Sequence, residues 1–276
     1  MWSVEINAGM KNGMIVSFDL DMTLMDQRTW EIPESAQRAI EALRENGNKI
    51  VIASGRDMDA PFSRAYRDLV KPDAIIHLNG TKITVGSKEI YDHTFDAGLL
   101  RRMLDFAQAE GLCMGVTLNE KDYFVNPQLL KAHDKEQFGE SGRNFRPLSE
   151  LPVKKVRTLQ YIGSAENAAK VKTAFPQVKL LMFSDGTGAV LVEQTSAKAA
   201  GLQRLCQYYR MGISQTVAFG DSMNDYEMIQ AAGTGIAMGN AVEELKAAAD
   251  YVTTDIDQDG IWNACCHLGY IQADWQ

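Results

Sequence analysis

The residues whose types and spacing could do chemistry begin at Phe18-Asp19-Leu20-Asp21-Met22-Thr23-Leu24. This stretch follows Met14-Ile15-Val16, an apolar run whose length and flanking residues suit a buried strand. On a regular strand Asp19 and Asp21 would share a face, and like charges that close are costly unless something neutralises them. A hard cation such as Mg²⁺, which takes oxygen ligands and usually one or two carboxylates, would do so. The competing reading of the stretch by itself is a surface turn rich in Asp and Thr.

The elements around it bear on that choice. A helix is expected over 31–46, with Pro33 in its first turn, Ala36, Ile40 and Leu43 on one face, and Gly47 as its stop. A buried strand over 49–53 ends in Ser54-Gly55-Arg56, a helix follows over 59–69, and a third strand over 74–78 ends in Asn79-Gly80. Strand and helix alternating in this way mark a parallel sheet with right-handed crossovers. Ligands of such sheets gather beyond the carboxyl ends of the strands, where all these polar clusters lie.

The rhythm changes near Thr81. A hairpin is expected over 82–85 and 89–91, then a helix carrying Leu99, Leu100, Met103, Leu104 and Ala107, strands over 113–118 and 123–125, and a charged helix over 127–138. A loop over 139–152 precedes a strand over 156–162, a helix over 165–175, and a hairpin over 179–183 and 189–192 around Asp185-Gly186-Thr187-Gly188. Helices mixed with adjacent strand pairs predict a separate α+β domain. Alternation then resumes: helix 198–209, strand 216–219 ending in Gly220-Asp221-Ser222-Met223-Asn224-Asp225, helix 226–232, strand 234–237, helix 241–249, strand 251–252 and helix 260–268.

The 276-residue chain is long enough for one large or two modest domains, and 45% hydrophobic with 23% charged residues is ordinary for a soluble globular protein. A net charge of −8 argues against nucleic acid or an anionic membrane as partner. No apolar run approaches the ~18 residues of a membrane span, and residues 1–13 show no export signal. Cys113, Cys206, Cys265 and Cys266 lack paired metal spacing, and a bridge between the adjacent pair would be strained, so buried thiols in a reducing cytoplasm are expected. Asn79-Gly80-Thr81 matches the glycosylation acceptor pattern only by accident on this reading.

In this order the clusters resemble those of the haloacid dehalogenase superfamily, and the arrangement of the insert resembles its Cof-type phosphatases, subclass IIB. Asp19-Leu20-Asp21-Met22-Thr23 matches the DxDxT first motif, Ser54 the second-motif hydroxyl, Lys198 the third-motif lysine, and Gly220 to Asp225 the GDxxND fourth motif. Ala237-Met238-Gly239-Asn240-Ala241 and Asp259-Gly260 resemble the Cof-type tail. Met22 stands where the family usually has glycine, Ser54 where threonine is common, and Ala199 where glycine is frequent. Met22 in particular would crowd the site or disfavour the expected backbone turn.

The resemblance implies a Rossmann-like parallel sheet core over 1–81 and 193–276, with an α+β cap (C2B type) inserted over 82–192. It implies that Asp19 is the nucleophile and Asp21 the acid and base, with Mg²⁺ held by Asp19, the main-chain carbonyl of Asp21, and Asp221. Asp225 would orient Lys198 or a metal-bound water. Ser54, the N–H groups of Leu20 and Gly55, Lys198 and Asn224 would bind the phosphoryl group, with Arg56 and Asn79 as support or substrate contacts. The activity implied is Mg²⁺-dependent hydrolysis of small phosphorylated metabolites, sugar phosphates above all, in the cytoplasm. A phosphomutase on the same core and a non-catalytic binding or regulatory protein are the alternatives. Substrate identity and oligomeric state are not legible in the residues.

Overall fold

In a computed structural model the described residues are 13–183 and 185–272. The expectation for the N-terminal stretch therefore lies, apart from Gly13, outside the described residues. The chain runs β1 (Ile15–Phe18), α1 (Glu34–Glu45), β2 (Lys49–Ala53), α2 (Pro61–Val70), β3 (Ala74–His77), β4 (Lys82–Val85) and β5 (Lys88–Asp92). It continues as α3 (Ala97–Ala109), β6 (Cys113–Leu118), β7 (Lys121–Val125), α4 (Pro127–Phe138), β8 (Leu159–Ile162), α5 (Ala165–Ala174), β9 (Val178–Met182) and β10 (Gly188–Glu193). Last come α6 (Lys198–Tyr209), β11 (Thr216–Gly220), α7 (Tyr226–Ala231), β12 (Thr234–Ala237), α8 (Glu243–Ala248), β13 (Tyr251–Val252) and α9 (Gly260–His267).

The apolar runs become the middle of an eight-stranded sheet, ordered β13-β12-β11-β1-β2-β3-β4-β5. β1 is buried along its whole length and pairs in parallel with β2 on one side and β11 on the other. Phe18 and Phe219 stack across that pairing with ring centroids 4.9 Å apart. The chain winds from β1 outward through β2 and β3, then returns to β11 and winds the other way. The carboxyl ends of β1 and β11 therefore form the crevice where strand order reverses.

Several expectations shift. Pro33 is not in the first turn of α1 but caps it, because its ψ of 142° is extended and the helix starts at Glu34. β8 begins at Leu159, since 153–155 form a 3₁₀ turn and Val156 lies extended after it. The hairpin expected to open the insert instead pairs with the edge of the first sheet. β4 lies antiparallel to β3 with Ile76 opposite Ile83, and β5 pairs with β4. β4 and β5 therefore continue the first sheet, a matter of tertiary pairing that alternation cannot reveal.

The second sheet is antiparallel, ordered β7-β6-β8-β10-β9. Leu99, Leu100 and Met103 of α3 and Val171 of α5 pack with Met114, Tyr161 and Leu191 from this sheet. Leu130 of α4 joins Cys113 and Phe124 in a separate small cluster. The chain passes between the two sheets at 93–96 and 194–197, and these crossings are adjacent: His93 hydrogen-bonds Glu193, whose Oε1 also accepts from the Asp96 N–H. A salt bridge from Lys179 of β9 to Glu227 of α7, 2.6 Å long, joins the second sheet to the first layer beside 223–225. Among the described residues no helix is long and apolar enough to cross a membrane.

Gly80 sits where the loop after β3 meets the start of α6. Its φ is +92°, and a Cβ there would lie 2.1 Å from the Ala197 carbonyl oxygen. Left-handed backbone and a clash against main chain act together, so Gly80→Ala is expected to destabilise the fold by about 2–4 kcal/mol. Urea unfolding followed by circular dichroism checks this; an unchanged midpoint would contradict it.

Candidate active site

Asp19 directly follows β1, and its N–H donates to the Phe219 carbonyl of β11 at 3.0 Å. That bond places its carboxylate over the crevice, beside the loop that leaves β11. Lys198, the first residue of α6, reaches in and donates from Nζ to Asp19 Oδ1 at 2.5 Å and to Asp225 Oδ1 at 2.6 Å. All three side chains are buried. Asp225 Oδ2 accepts from the N–H groups of Asp221 and Ser222 at 3.1 and 3.2 Å, which folds the loop after β11 around this carboxylate. Asp221 Oδ1 accepts from Thr23 Oγ1 at 2.9 Å, tying that loop to the one after β1.

Charge in this cluster does not balance. Asp19, Asp221 and Asp225 can bring oxygens within 4.8 Å of one another, and Lys198 is the cation bonded among them. Burial, then the Asp225 charge, pushes the Asp19 carboxyl well above its ordinary range, against the pull of Lys198. The same two causes push Asp221 up to about 7. Burial works against the Lys198 ammonium, but Asp19 and Asp225 outweigh it and hold its pKa above the usual value. Such a site favours a bound proton or a bound cation, and its donors are hard carboxylate oxygens suited to a divalent ion. Asp225 has its oxygens engaged by Lys198 and two backbone N–H groups, so Asp19 and Asp221 are the members of the group better able to turn toward an ion.

Asp21 stands apart from this group. Arg56 grips its carboxylate in a fork, Nε to Oδ2 at 2.8 Å and Nη2 to Oδ1 at 2.5 Å, and Gln27 Nε2 adds a bond of 2.8 Å to Oδ1. Its side chain is 28% exposed, in contrast to buried Asp19. The chain turns directly after Asp21. Met22 has a φ of +57°, its N–H donates to the Met25 carbonyl, and its own carbonyl accepts from Asn240 Nδ2 at 2.8 Å. The backbone turn that Met22 was expected to disfavour is thus made by this methionine in the left-handed region, at the cost such residues incur there.

Beyond β2 and β3 the remaining predicted residues converge. Ser54 is fully buried, and its Oγ accepts from the Arg56 N–H at 3.0 Å. A Cβ at Gly55 would lie 3.3 Å from Asn79 Nδ2, so the absence of a side chain admits Asn79. Asn79, itself buried with a φ of +55°, accepts from Asn224 Nδ2 at 3.3 Å. Burial also removes Asn79 from consideration as a glycosylation acceptor. Leu20 takes two turn bonds on its carbonyl, from Leu24 N–H at 3.0 Å and Met25 N–H at 2.7 Å. Thr23, Gln27 and Asn240 had no assigned role in the sequence; the DxDxT spacing was the available signal for Thr23.

Known proteins place this geometry. YkrA of Bacillus subtilis (strain 168) is 31% identical to the chain, over 94% of it and 98% of that protein. Phosphatase BT1666 from Bacteroides thetaiotaomicron superposes with a TM-score of 0.88 at 26% identity, covering 96% of this chain and 98% of that one. The subclass IIB sugar phosphatase BT4131 does so with a TM-score of 0.82 at 28% identity, covering 94% and 100%. Over residues 16–265 the chain matches the family described as haloacid dehalogenase-like hydrolase. With its crevice, its acidic cluster and that match in agreement, the chain belongs to the haloacid dehalogenase-like hydrolases and is a phosphatase of that superfamily.

Proposed function

We propose that the chain hydrolyses small phosphorylated metabolites, sugar phosphates foremost, in the cytoplasm, through an aspartyl-phosphate on Asp19 and with Mg²⁺ as cofactor. The observation that carries the reading is the excess of carboxylate over ammonium where half-buried Asp221 joins buried Asp19, Lys198 and Asp225. A substrate phosphate brought to an anionic site needs that charge balanced before an oxygen can attack phosphorus. BT4131 is a sugar phosphatase by name, which supports the substrate class. Free thiols at all four cysteines suit a reducing compartment.

Asp19, Asp221 and the main-chain carbonyl of Asp21 would hold the ion, whose chemistry is to neutralise the phosphoryl oxygens and the attacking carboxylate together. Lys198 fixes Asp19 Oδ1, leaving Oδ2 to attack phosphorus in line. As the Asp19–phosphorus bond forms, the ester P–O bond breaks and Asp21 gives its proton to the departing alkoxide. Asp21 then takes a proton from water, whose oxygen attacks phosphorus, releasing inorganic phosphate and freeing Asp19. Ser54, the N–H groups of Leu20 and Gly55, Lys198 and Asn224 bind the phosphoryl oxygens, while Asp225 holds Lys198 in place. The antiparallel second sheet, joined to the first through 93–96 and 194–197, serves as the cap that selects the leaving group.

Asp19→Asn is expected to lower turnover at least about 10³-fold while leaving the circular dichroism spectrum unchanged. The check is phosphate release across a panel of phosphorylated metabolites, with and without Mg²⁺; near-normal turnover in the folded variant would exclude Asp19 as nucleophile. Release of phosphate, rather than return of an isomerised ester, also separates hydrolysis from a mutase reaction.

The raised carboxyl of Asp221 gives a pH dependence with a defined sign. Folded protein keeps this proton between pH 3.8 and about 7, where the unfolded chain has lost it, so stability without metal falls as pH rises through that window. Mg²⁺ binds the deprotonated site, and its stabilising effect should therefore be larger at pH 8 than at pH 5. Thermal midpoints in EDTA and in Mg²⁺ at both values measure this. An equal shift at the two pH values would count against metal binding at Asp221.

A further inference from the structure

The geometry points to Trp30 and Phe62 as positioning residues that act on Asp21 through Arg56. This rests on the reading of Asp21 as acid and base given above. Arg56 and Asp21 form a forked ion pair, yet their side chains are 22% and 28% exposed. A partly exposed pair opens readily unless its partners are confined, and an open pair leaves the carboxylate free to rotate.

Two aromatic rings supply the confinement. The Arg56 guanidinium carbon lies 5.1 Å from the Phe62 ring centroid and 6.0 Å from that of Trp30. The rings meet edge to face, 5.5 Å apart at 81°, and Tyr66 extends the row at 6.3 Å from Phe62. Planar guanidinium groups are held by aromatic surfaces of this kind, which narrows their rotamers. Phe62 comes from the first turn of α2, whereas Trp30 comes from the loop between β1 and α1, so the row bridges the elements on either side of Arg56.

Neither ring is accounted for by core packing. Trp30 is 51% exposed and Phe62 59%, and neither belongs to the main apolar cluster. Trp30 also holds a φ of +61°, a region bulky residues avoid. The local structure insists on it. Trp30 N–H donates to the Asp26 carbonyl at 2.7 Å, Asp26 N–H donates to the Glu31 carbonyl at 2.9 Å, and Tyr66 Oη donates to the Trp30 carbonyl at 3.0 Å. Arg28 clamps Asp26 from the side, with Nη2 2.6 Å from Oδ2. A strained, exposed indole fixed against the arginine that grips the proton-transfer group is what a positioning device requires. The rings keep Arg56 in one place, Arg56 keeps the Asp21 carboxylate in one orientation, and Asp21 then meets the attacking water as a base without reorganising.

The test uses 4-nitrophenyl phosphate with the full chain and Mg²⁺. Its leaving group departs without a proton, so formation of the aspartyl-phosphate does not depend on Asp21, whereas the attack of water does. In Trp30→Ala/Phe62→Ala, kcat is expected to fall about 10-fold and a burst of 4-nitrophenol, near one per site, to precede slow turnover, while kcat/KM changes less than about 2-fold. Trp30→Phe and Phe62→Tyr, which keep a ring against Arg56, should retain kcat within about 2-fold. In an Asp21→Asn background the ring replacements should have no further effect on kcat. A fall of kcat/KM in proportion to kcat would overturn the proposal, since it marks a misfolded site or rings that contact substrate. Wild-type kcat in the double alanine variant, with a burst in Asp21→Asn, would refute the positioning role alone. Wild-type turnover in Asp21→Asn would remove the reading of Asp21, and the proposal with it.

Discussion

One ammonium held between two buried carboxylates is the interaction on which the rest of the structure depends. Lys198 opens α6, Asp19 directly follows β1 and Asp225 lies in the loop after β11, so a single charged group joins three segments far apart in the chain. Burying such a trio is costly, and removing the lysine would leave two uncompensated carboxylates in the interior. The arrangement therefore constrains its surroundings. Gly80 must lack a side chain so that the loop after β3 can lie against Ala197, directly before Lys198, and the backbone N–H groups of Asp221 and Ser222 must turn inward to satisfy Asp225. Packing serves the charge here as much as charge serves the chemistry.

The central sheet was legible because the strands β1, β2, β3 and β11 are short apolar runs bounded by polar clusters, a pattern produced by burial on both faces. Asp19, Asp221 and Asp225 drew attention for a related reason, since each lies in a polar cluster that follows an apolar run and the ends of parallel strands converge. Lys198 was singled out only through its resemblance to the third-motif lysine, because a lone lysine opening a helix is ordinarily solvated. Met22 drew notice only because the family usually has glycine there, and the methionine adopts the turn it was expected to disfavour, with a φ of +57°. The membership in the haloacid dehalogenase-like hydrolases, suggested by motif order, is borne out across residues 16–265.

What escaped the sequence depends on tertiary pairing and rotamers. The β4–β5 hairpin has the same alternation whether it extends one sheet or opens another; only its register with Ile75 and Ile76 of β3 decides. Arg56 and Asp21 are 35 positions apart, and nothing in their local sequences shows that one would grip the other rather than a substrate. Trp30 carries the opposite of a signal: a bulky aromatic does not announce left-handed backbone, and its conformation arises from Asp26, Arg28 and Tyr66 acting together.

The adjacency of the two crossings between the sheets has its own consequence. Because His93 and Glu193 meet, the chain leaves the parallel sheet and comes back to it at nearly the same point. Everything between them is, topologically, a closed detour whose ends impose no span on the host. A detour of that kind can lengthen, shorten or be exchanged for an unrelated one while the strands that carry Asp19 and Asp221 keep their order and register. The catalytic half and the half proposed to choose among substrates are thereby free to diverge at different rates, like a fixed socket taking interchangeable fittings.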